Sequence, residues 1–441
     1  MKKLYILLMS VLLITACDND LDQVPPNLVE ASSLTDFSQV LNAAYYYQTG
    51  AATPLAVMGE FRADNMLMLE EPYPSFDRFN KDILEMDGIF IRPLYSNLYK
   101  AILSVNNVIE NSSDPEEIGE AQFLRALSYF KLVMVFGDVT VNLSATPSVS
   151  DPSILSRQSA ASVYSDVIIP DLQEAISALD NSNIGTGRAT QLAAQALLGK
   201  VYLYTGAFAN AATELGAVIT GATAAGVILE GDFANVVVDG NSEIIFATAF
   251  SSSIGDAFTG SATEFAGWFS GGDTKSLTPL DPDLTAAFDA SSAAGGGTDL
   301  RKALTIDEAA AAGVKYSGGL DQDFIEIRLS DVLLMHAEAL NESGSSAEAV
   351  LDVLDPIRTR AGLTVLDHTV LSSQAQVRQA IADERRLELA LEGHRWFDLV
   401  RTGTVDAEMG QTVGAGFHVF PIPPSEVLAT DGVITQNEAY K

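Results

Sequence analysis

A short pattern of small and bulky residues near the middle of the chain most limits what the chain can fold into. Leu198-Gly199 precedes Tyr202, Ala211 follows nine residues after that tyrosine, and Leu215 takes the next bulky position. Small side chains at matched positions let two helices approach closely, and the larger side chains fill the groove between them. The pattern therefore predicts two helices packed against each other as a hairpin.

Helical periodicity extends well beyond this hairpin. Over 122–136, apolar residues recur at spacings of 4, 3 and 4, which indicates a helix with one buried face. The hairpin helices are predicted over 190–204 and 209–219, and their L-G-x-x-Y core matches a tetratricopeptide repeat. A weaker match lies at 327–341 and 346–360. We predict an all-α fold, an α-α superhelix of tetratricopeptide-like helical hairpins; unrelated helical hairpins are the alternative.

The region 221–325 departs from this pattern. It contains the breakers Gly271-Gly272 and Gly318-Gly319, and Glu243–Phe250 is rich in branched and aromatic residues, as strands are. We predict a loop-rich, partly β insertion on the helical scaffold, the kind of place where binding sites usually lie. The predicted domains are a signal peptide at 1–16, an extended tether at 17–33, an N-terminal helical region at 34–220, the ligand-binding insertion at 221–325 and a C-terminal region at 326–441.

The first residues are similar to a bacterial lipoprotein signal. Lys2 and Lys3 give a positive start, and Leu4–Ala16 is apolar but too short to span a bilayer. Cys17, the only cysteine, follows a small residue. Cleavage there would leave Cys17 as a lipidated first residue, and acyl chains such as palmitate would anchor it to a membrane. An ordinary signal peptide with an incidental cysteine is the alternative.

The charge balance argues against several classes of partner. The sequence has 25 Lys+Arg against 58 Asp+Glu, a net charge of −33. Nucleic acid is not expected to bind, because no excess of cations is available to replace phosphate counterions. One cysteine and four scattered histidines without an HExxH pattern predict no metal site. No nucleotide-binding glycine motif occurs, so no cofactor is predicted.

Two segments carry aromatic residues suited to binding a sugar. Trp268 and Phe269 lie among glycines in the insertion, with Asp273 shortly after them. Tyr73 and Phe76 lie in a proline-rich loop between helical segments. Sugars stack their C–H faces on aromatic rings, while polar side chains at the rim bind their hydroxyls. We predict these five residues as ligand-binding; for Trp268, the alternative is a hydrophobic plug beneath a loop.

Six ordered segments resemble the SusD/RagB family of nutrient-binding outer-membrane lipoproteins. The most specific are ERRLELALEGHRWFDLVRTG from Glu384, FPIPPSE from Phe420 and QNEAY from Gln436. The others are FLRALSYFKLVMVFGDV, GRATQLAAQALLGKVYLYTG and RLSDVLLMHAEALNESG. The chain departs from the family at Glu438-Ala439, where Pro-Gly is usual, and in being shorter than many members, which indicates trimmed binding loops.

The resemblance implies both a function and a location. It implies four tetratricopeptide-like hairpins, a variable face for the ligand, and a lid-like position on a SusC-like TonB-dependent outer-membrane transporter. Family members bind starch-like and other glycans, some serve peptides, and they hydrolyse nothing. We therefore expect a surface-exposed, lipid-anchored glycan-binding protein of the outer membrane that is not an enzyme. The alternatives are the same role for peptides, a surface glycoside hydrolase, and a scaffold with no ligand of its own.

Other residues are predicted to be structural. Tyr45-Tyr46-Tyr47 lies on an apolar helix, so we expect it in the core or at the transporter interface, with ligand contact as the alternative. Trp396 is predicted to pack in the core, because its motif persists across ligand types. The following residues are predicted to form buried ion pairs or hydrogen bonds and not a catalytic pair: Glu388, Glu392, Arg395 and Asp398.

Overall fold

Helices make up most of the described part of the chain. The computed structural model describes residues 36–147, 152–260, 265–269, 280–316 and 321–441. The α-helices are α1 Ser38–Phe61, α2 Arg92–Asn111, α3 Pro115–Phe136, α4 Pro152–Leu155, α5 Ala160–Val163, α6 Ile169–Ala178, α7 Gln191–Tyr204, α8 Phe208–Ala222, α9 Pro282–Ala294, α10 Leu300–Thr305, α11 Leu329–Glu342, α12 Ala347–Arg360, α13 Gln374–Glu388, α14 Arg395–Thr402, α15 Val405–Glu408 and α16 Pro424–Ala429. The strands are β1 Val139–Thr140, β2 Arg157–Gln158, β3 Ile244–Thr248, β4 Ile306–Asp307, β5 Ala312–Gly313 and β6 Phe324–Arg328. Short 3-10 helices include Tyr73–Phe76 and Phe265–Trp268, and π-helical turns occur at Asp87–Ile91 and Tyr164–Ile168.

Successive helices pack side by side along the chain. Helix α1 packs on α2, α2 on α3, α3 on α6, α6 on α7, α7 on α8, and α8 on α11, which also contacts α12 and α13. Packing between neighbours in this order builds a stack of helical hairpins. The predicted all-α fold is confirmed.

The central hairpin forms as its small residues predict. Thr190 caps α7, because its side-chain oxygen accepts from the backbone N–H of Ala193 at 3.2 Å. A Cβ added to Gly199 would lie 2.6 Å from the Leu215 side chain on α8, a distance that is too short for a carbon contact. The close approach of α7 and α8 therefore requires glycine at this point.

The predicted β segment forms a strand that crosses into the C-terminal region. Strand β3 lies within 243–250, is fully buried, and pairs antiparallel with β6. Strand β6 leads directly into α11, so the predicted boundary between 325 and 326 falls inside a strand. The other domain boundaries stay predictions.

The C-terminal tail is bound to the end of α3. The backbone N–H of Phe420 donates to Val135 O at 2.8 Å. The Asn437 side-chain amide donates to Phe136 O at 3.0 Å and to Phe420 O at 2.7 Å. The Tyr440 hydroxyl donates to Val419 O at 2.8 Å. The C-terminal tail and the end of α3 thus hold each other in place, although about 300 residues separate them in the sequence.

Trp396 is fully buried in a stack of side chains. Its ring lies 5.7 Å from that of Phe79, and the Arg62 guanidinium lies 5.2 Å from Trp396 and 4.6 Å from Phe420. A guanidinium held against aromatic faces is stabilised by cation–π attraction. The predicted packing role of Trp396 is confirmed.

Candidate functional site

Four of the five predicted ligand-binding residues come together in one cluster of rings. This aromatic cluster consists of Phe61, Tyr73, Phe76, Phe90, Trp268 and Phe269. The Trp268 ring meets Phe90 at 5.2 Å and Tyr73 at 5.7 Å, both edge to face, an arrangement that aromatic rings favour. Asp273 and the lipidation candidate Cys17 lie outside the described residues.

Most of the aromatic cluster is closed to solvent. Trp268 is 7% exposed, Phe269 1% and Phe76 0%, whereas Tyr73 is half-buried. Buried rings packed on each other match the alternative weighed for Trp268, a hydrophobic plug beneath a loop. Ligand contact by these residues stays a prediction, and in this conformation Tyr73 alone of the four offers a partly open ring.

A second part of the surface forms an open cleft. It lies between α1, the loop that precedes α7, and the segment that follows β3, and its volume is about 250 Å³. The α1 residues in its wall are three or four positions apart, so they share one helix face. We call this surface the cleft. Its lining residues include Tyr45, Tyr46, Thr49, Arg188, Phe250 and Asp256.

One wall of the cleft is fixed by a buried hydrogen-bond network. The Tyr45 hydroxyl donates to Glu120 and accepts from the backbone N–H of Ala189 at 2.8 Å. The Arg188 guanidinium pairs with Glu120 at 2.8 Å, donates to Asn42 at 2.6 Å and covers the Tyr45 ring at 4.6 Å. Burial, and then the charge of Glu120, hold the pKa of Tyr45 well above its usual value. This wall is therefore rigid and electrically balanced.

Tyr46, unlike Tyr45, presents an exposed aromatic ring at the cleft. Its side chain is 38% exposed, and its ring meets Tyr47 at 5.8 Å in a tilted arrangement. The sequence favoured a core or transporter-interface position for these tyrosines; Tyr46 is exposed at the cleft and so is not in the core, and an interface position stays a prediction. It supplies the accessible aromatic surface that a sugar ring requires.

Asp256, a lining residue of the cleft, has a buried carboxylate. Asp256 is only 2% exposed, and its Oδ1 accepts from Phe258 N at 3.1 Å, from Thr259 N at 2.6 Å and from Thr259 Oγ1 at 3.0 Å. Its Oδ2 is buried and has no hydrogen-bond partner among the described residues. A buried carboxylate oxygen without a donor costs free energy of folding.

Sequence reasoning assigned no role to Asp256. The spacing Asp256-x-x-Thr259 is typical of a turn in which the side chain accepts from backbone N–H groups further along. That signal predicts the turn and the bonds of Oδ1. It does not show that Asp256 lines a cleft whose other walls come from residues near 45 and 188.

A buried charge network occupies the C-terminal region. It contains Glu243, Arg301, Lys315, Arg328, Arg360, Glu384, Glu388 and Glu392. Arg328 lies at its centre, 2.7 Å from each of Glu243, Glu388 and Glu392. Burial alone would raise the pKa of Glu392, but Arg328 and Lys315 outweigh it and lower that pKa to about 2. These carboxylates are neutralised by fixed cations, which suits a structural role.

The remaining motif residues are paired as well. Arg395 binds Asp64 at 2.6 Å, and Asp398 binds Arg385 at 2.7 Å. The predicted buried ion pairs of the C-terminal motif are therefore confirmed. They join α14 to the turn that follows α1 and α13 to α14, and they do not present a pair of acids to a substrate.

Glu60 predicts a specific pH dependence of stability. It is fully buried, accepts from Gly393 N at 2.8 Å, and has a pKa raised by burial from 4.5 to about 7. Because the folded-state pKa is raised, protonated Glu60 contributes stability that is present at low pH and lost as the pH rises through about 7. Between pH 4.5 and about pH 7, we expect the free energy of unfolding of the wild type to fall by up to about 3 kcal/mol relative to that of Glu60→Gln.

Urea unfolding followed by circular dichroism at a series of pH values measures this difference. Comparing the two proteins cancels the titration of all other groups. Parallel curves for the two proteins between pH 4.5 and 7 would show that Glu60 is ionised throughout.

One group of side chains has the composition of a metal site. Asp352 and Asp355 on α12 flank His368, at 3.7 Å from Nδ1 and 3.6 Å from Nε2. The two carboxylates thus lie at different nitrogens of one partly exposed ring. Both separations exceed hydrogen-bonding distance, and an ion bound at either nitrogen would have one adjacent carboxylate.

Comparison with known proteins identifies the family. The sequence matches the SusD family over residues 282–419, and over residues 20–203 it matches a second model, described as starch-binding and associating with the outer membrane. The chain belongs to the SusD/RagB family. The resemblance inferred from the sequence segments is therefore confirmed.

Individual SusD-like relatives match different shares of the chain. SusD-like protein P2 of Formosa agariphila is 25% identical over 417 residues, which cover 80% of this chain and 81% of the relative. Starch-binding protein SusD of Bacteroides thetaiotaomicron is 32% identical over 132 residues, 27% of this chain and 22% of that protein. These matches concern proteins of the same family and extend across both halves of the sequence.

Solved SusD-like structures share the fold. A laminarin-binding SusD-like protein is 26% identical, with a TM-score of 0.72 over 92% of this chain and 99% of the other. Surface glycan-binding protein A of Bacteroides fluxus is 20% identical, with a TM-score of 0.74 over 92% and 99%. Within the described residues of this SusD-like chain, no helix is long and apolar enough to cross a bilayer.

Proposed function

We propose that this protein captures glycans at the outer surface of a bacterial outer membrane and delivers them to a SusC-like TonB-dependent transporter. The observation that carries the proposal is the cleft, whose lining includes the exposed ring of Tyr46 together with the exposed polar residues Asn42 and Ser251. An aromatic face beside hydrogen-bonding groups is the combination that sugars need. Relatives named for binding laminarin and starch support a glycan over a peptide as the ligand.

The size of the cleft suits part of a chain of sugars. Its volume of about 250 Å³ is below the roughly 300–1,000 Å³ of pockets that enclose small ligands. An open cleft of this size contacts one or two sugar units and leaves the rest of the glycan in solvent. Weak, reversible contact of this kind favours transfer to a transporter.

We propose binding without hydrolysis. Glycoside hydrolases use two carboxyl groups on opposite sides of the bond that breaks. Among the described lining residues of the cleft, Asp256 is the one carboxylate. The acids of the C-terminal motif are neutralised by arginines in the charge network. This arrangement supports a binding protein, as the family does.

Attachment and delivery are the parts of the proposal that rest on the family. Acylation at Cys17 would hold the protein at the membrane through the acidic tether of 17–33. The match to a model described as associating with the outer membrane supports this location. Delivery to a SusC-like transporter is supported by membership of the SusD/RagB family.

Tyr46→Ala tests the function and the place of the site together. We expect the affinity for a bound glycan to fall about tenfold, because one aromatic stacking contact contributes on the order of 1 kcal/mol. Affinity electrophoresis and calorimetry against laminarin, starch and other polysaccharides measure the change. Leu428→Ala, at a side chain that is 80% exposed and does not line the cleft, is the matched control.

Two outcomes would contradict the proposal in different ways. A loss of binding in Tyr73→Ala but not in Tyr46→Ala would move the site to the aromatic cluster. Release of shorter sugars during incubation with the wild-type protein, abolished by a single carboxylate substitution, would establish a hydrolase instead.

A further inference from the structure

We propose that Asn42 and Tyr46 bind the same sugar unit in the cleft, and that Arg188 is the positioning residue that orients the Asn42 amide. This inference rests on the proposed glycan-binding function and adds two residues to it. The Tyr46 ring stacks on the sugar, while the amide nitrogen of Asn42 donates a hydrogen bond to an oxygen of the same sugar. Such a pair requires that the two side chains share one helix face and that the amide nitrogen is free.

Asn42 and Tyr46 lie about one turn apart on the same face of α1. Residues four positions apart on a helix have Cβ atoms roughly 5–6 Å from each other, a distance comparable with the width of a pyranose ring. Both residues are exposed, and both line the cleft. One sugar can therefore contact the ring and the amide at the same time.

Arg188 determines which end of the Asn42 amide is free. The Arg188 guanidinium donates to Asn42 Oδ1 at 2.6 Å. A guanidinium has donors and no acceptor, so the amide atom that faces it must be the oxygen and not the nitrogen. Asn42 makes no further side-chain hydrogen bond to a described residue. Its Nδ2 is thus left to donate to solvent or to a ligand.

Arg188 can orient the amide because it is itself held in place. Two of its nitrogens bind the buried carboxylate of Glu120 at 2.8 and 2.9 Å, and its guanidinium covers the Tyr45 ring at 4.6 Å. A planar guanidinium bound through two such hydrogen bonds keeps one orientation. Its third nitrogen is therefore directed at Asn42, which lies 146 residues away in the sequence.

The chemical class that fits this pair is a pyranose with an oxygen at the edge of its stacked face. The C–H face of the sugar packs on the Tyr46 ring. Hydroxyl, ring and glycosidic oxygens all accept hydrogen bonds, and the amide of Asn42 can act only as a donor because its oxygen is occupied by Arg188.

Asn42→Ala tests the pair. We expect the affinity for laminarin or starch, whichever the wild-type protein binds, to fall about fivefold through the loss of one neutral hydrogen bond. Alanine favours helices, so α1 should stay folded. Asn210→Ala, at an exposed asparagine of α8 that does not line the cleft, is the matched control. Calorimetry measures the affinities.

A double-mutant cycle tests the positioning role of Arg188. Arg188→Lys keeps a positive charge beside Glu120 but loses the planar fork that reaches Asn42. Alone, we expect it to lower the affinity about threefold. In the Asn42→Ala background we expect no further loss, because no amide remains to be oriented. A purely structural role of Arg188 would lower the affinity by the same factor in both backgrounds.

The side-chain amide of Asn42 gives a direct readout in the wild-type protein. In nuclear magnetic resonance spectra of nitrogen-labelled protein, its NH₂ signals are the pair that is missing from Asn42→Ala. We expect these signals to shift when laminarin or starch is added. Signals that stay in place at saturating glycan overturn the contact with Asn42.

The outcomes separate this inference from the function on which it rests. Unchanged affinity in Asn42→Ala, with a loss in Tyr46→Ala, overturns the pair and leaves glycan binding in the cleft intact. Equal losses from Arg188→Lys in both backgrounds overturn the positioning role. Failure of the wild-type protein to bind any glycan overturns the inference and the proposed function together.

Discussion

Arg328→Met is expected to lower the free energy of unfolding by about 3–5 kcal/mol, because it removes a buried cation that three buried carboxylates share. Arg328 is 1% exposed and lies 2.7 Å from each of Glu243, Glu388 and Glu392. Methionine fills much of the same space but carries no charge. Arg360 and Lys315 remain nearby, yet they already pair with carboxylates of the same network.

Urea unfolding at neutral pH measures this loss, and Arg378→Met is the control. Arg378 pairs with Glu342 at 2.7 Å, but its side chain is 49% exposed. Exposed pairs contribute at most about 1 kcal/mol, so the control should remain close to the wild type. Equal losses in the two variants would show that water reaches the charge network and screens it.

Gly393→Ala is expected to destabilise the protein by about 2–5 kcal/mol, through strain in the backbone and a steric clash. Gly393 has φ +84, a conformation that costs a residue with a side chain about 1–2 kcal/mol. An added Cβ would also lie 2.8 Å from Ala56 Cα on α1. Backbone atoms cannot move aside easily, so the helix and the turn must separate.

Gly403→Ala isolates the first of these effects, the backbone strain. Gly403 has φ +70, but a Cβ built there meets nothing within 4 Å. We expect it to lose only the conformational part, about 1–2 kcal/mol. Thermal and urea unfolding of both variants give the difference, and a Gly393→Ala protein no less stable than Gly403→Ala would rule out the tight contact with α1.

Local patterns predicted the helical part of the fold well. The small and bulky residues around Gly199 and Leu215 specify how α7 and α8 pack, and that information lies within one short segment. The branched residues of β3 indicated a strand, but its partner β6 lies about eighty residues further along. The sequence indicated strand β3 but not its pairing partner. The predicted domain boundary between 325 and 326 therefore fell inside β6.

The candidate site was harder to predict for the same reason. Tyr46, Arg188 and Asp256 are far apart in the sequence, and the cleft exists only where the fold brings them together. Composition singled out Trp268 because aromatic residues among glycines suggest an exposed ring. Its burial depends on Phe61 and Phe90, which no local pattern connects to it.

The contacts of the C-terminal tail have a consequence for how the protein is made. The amide of Asn437 completes the hydrogen bonding of the last turn of α3, and the carbonyl of Lys441 accepts from Lys81 near the start of the chain. While residues 420–441 remain inside the ribosome or a translocation channel, the end of α3 lacks these partners. The end of α3 therefore completes its hydrogen bonding only after residues 420–441 have emerged, which leaves this part of the nascent chain open to chaperones until then.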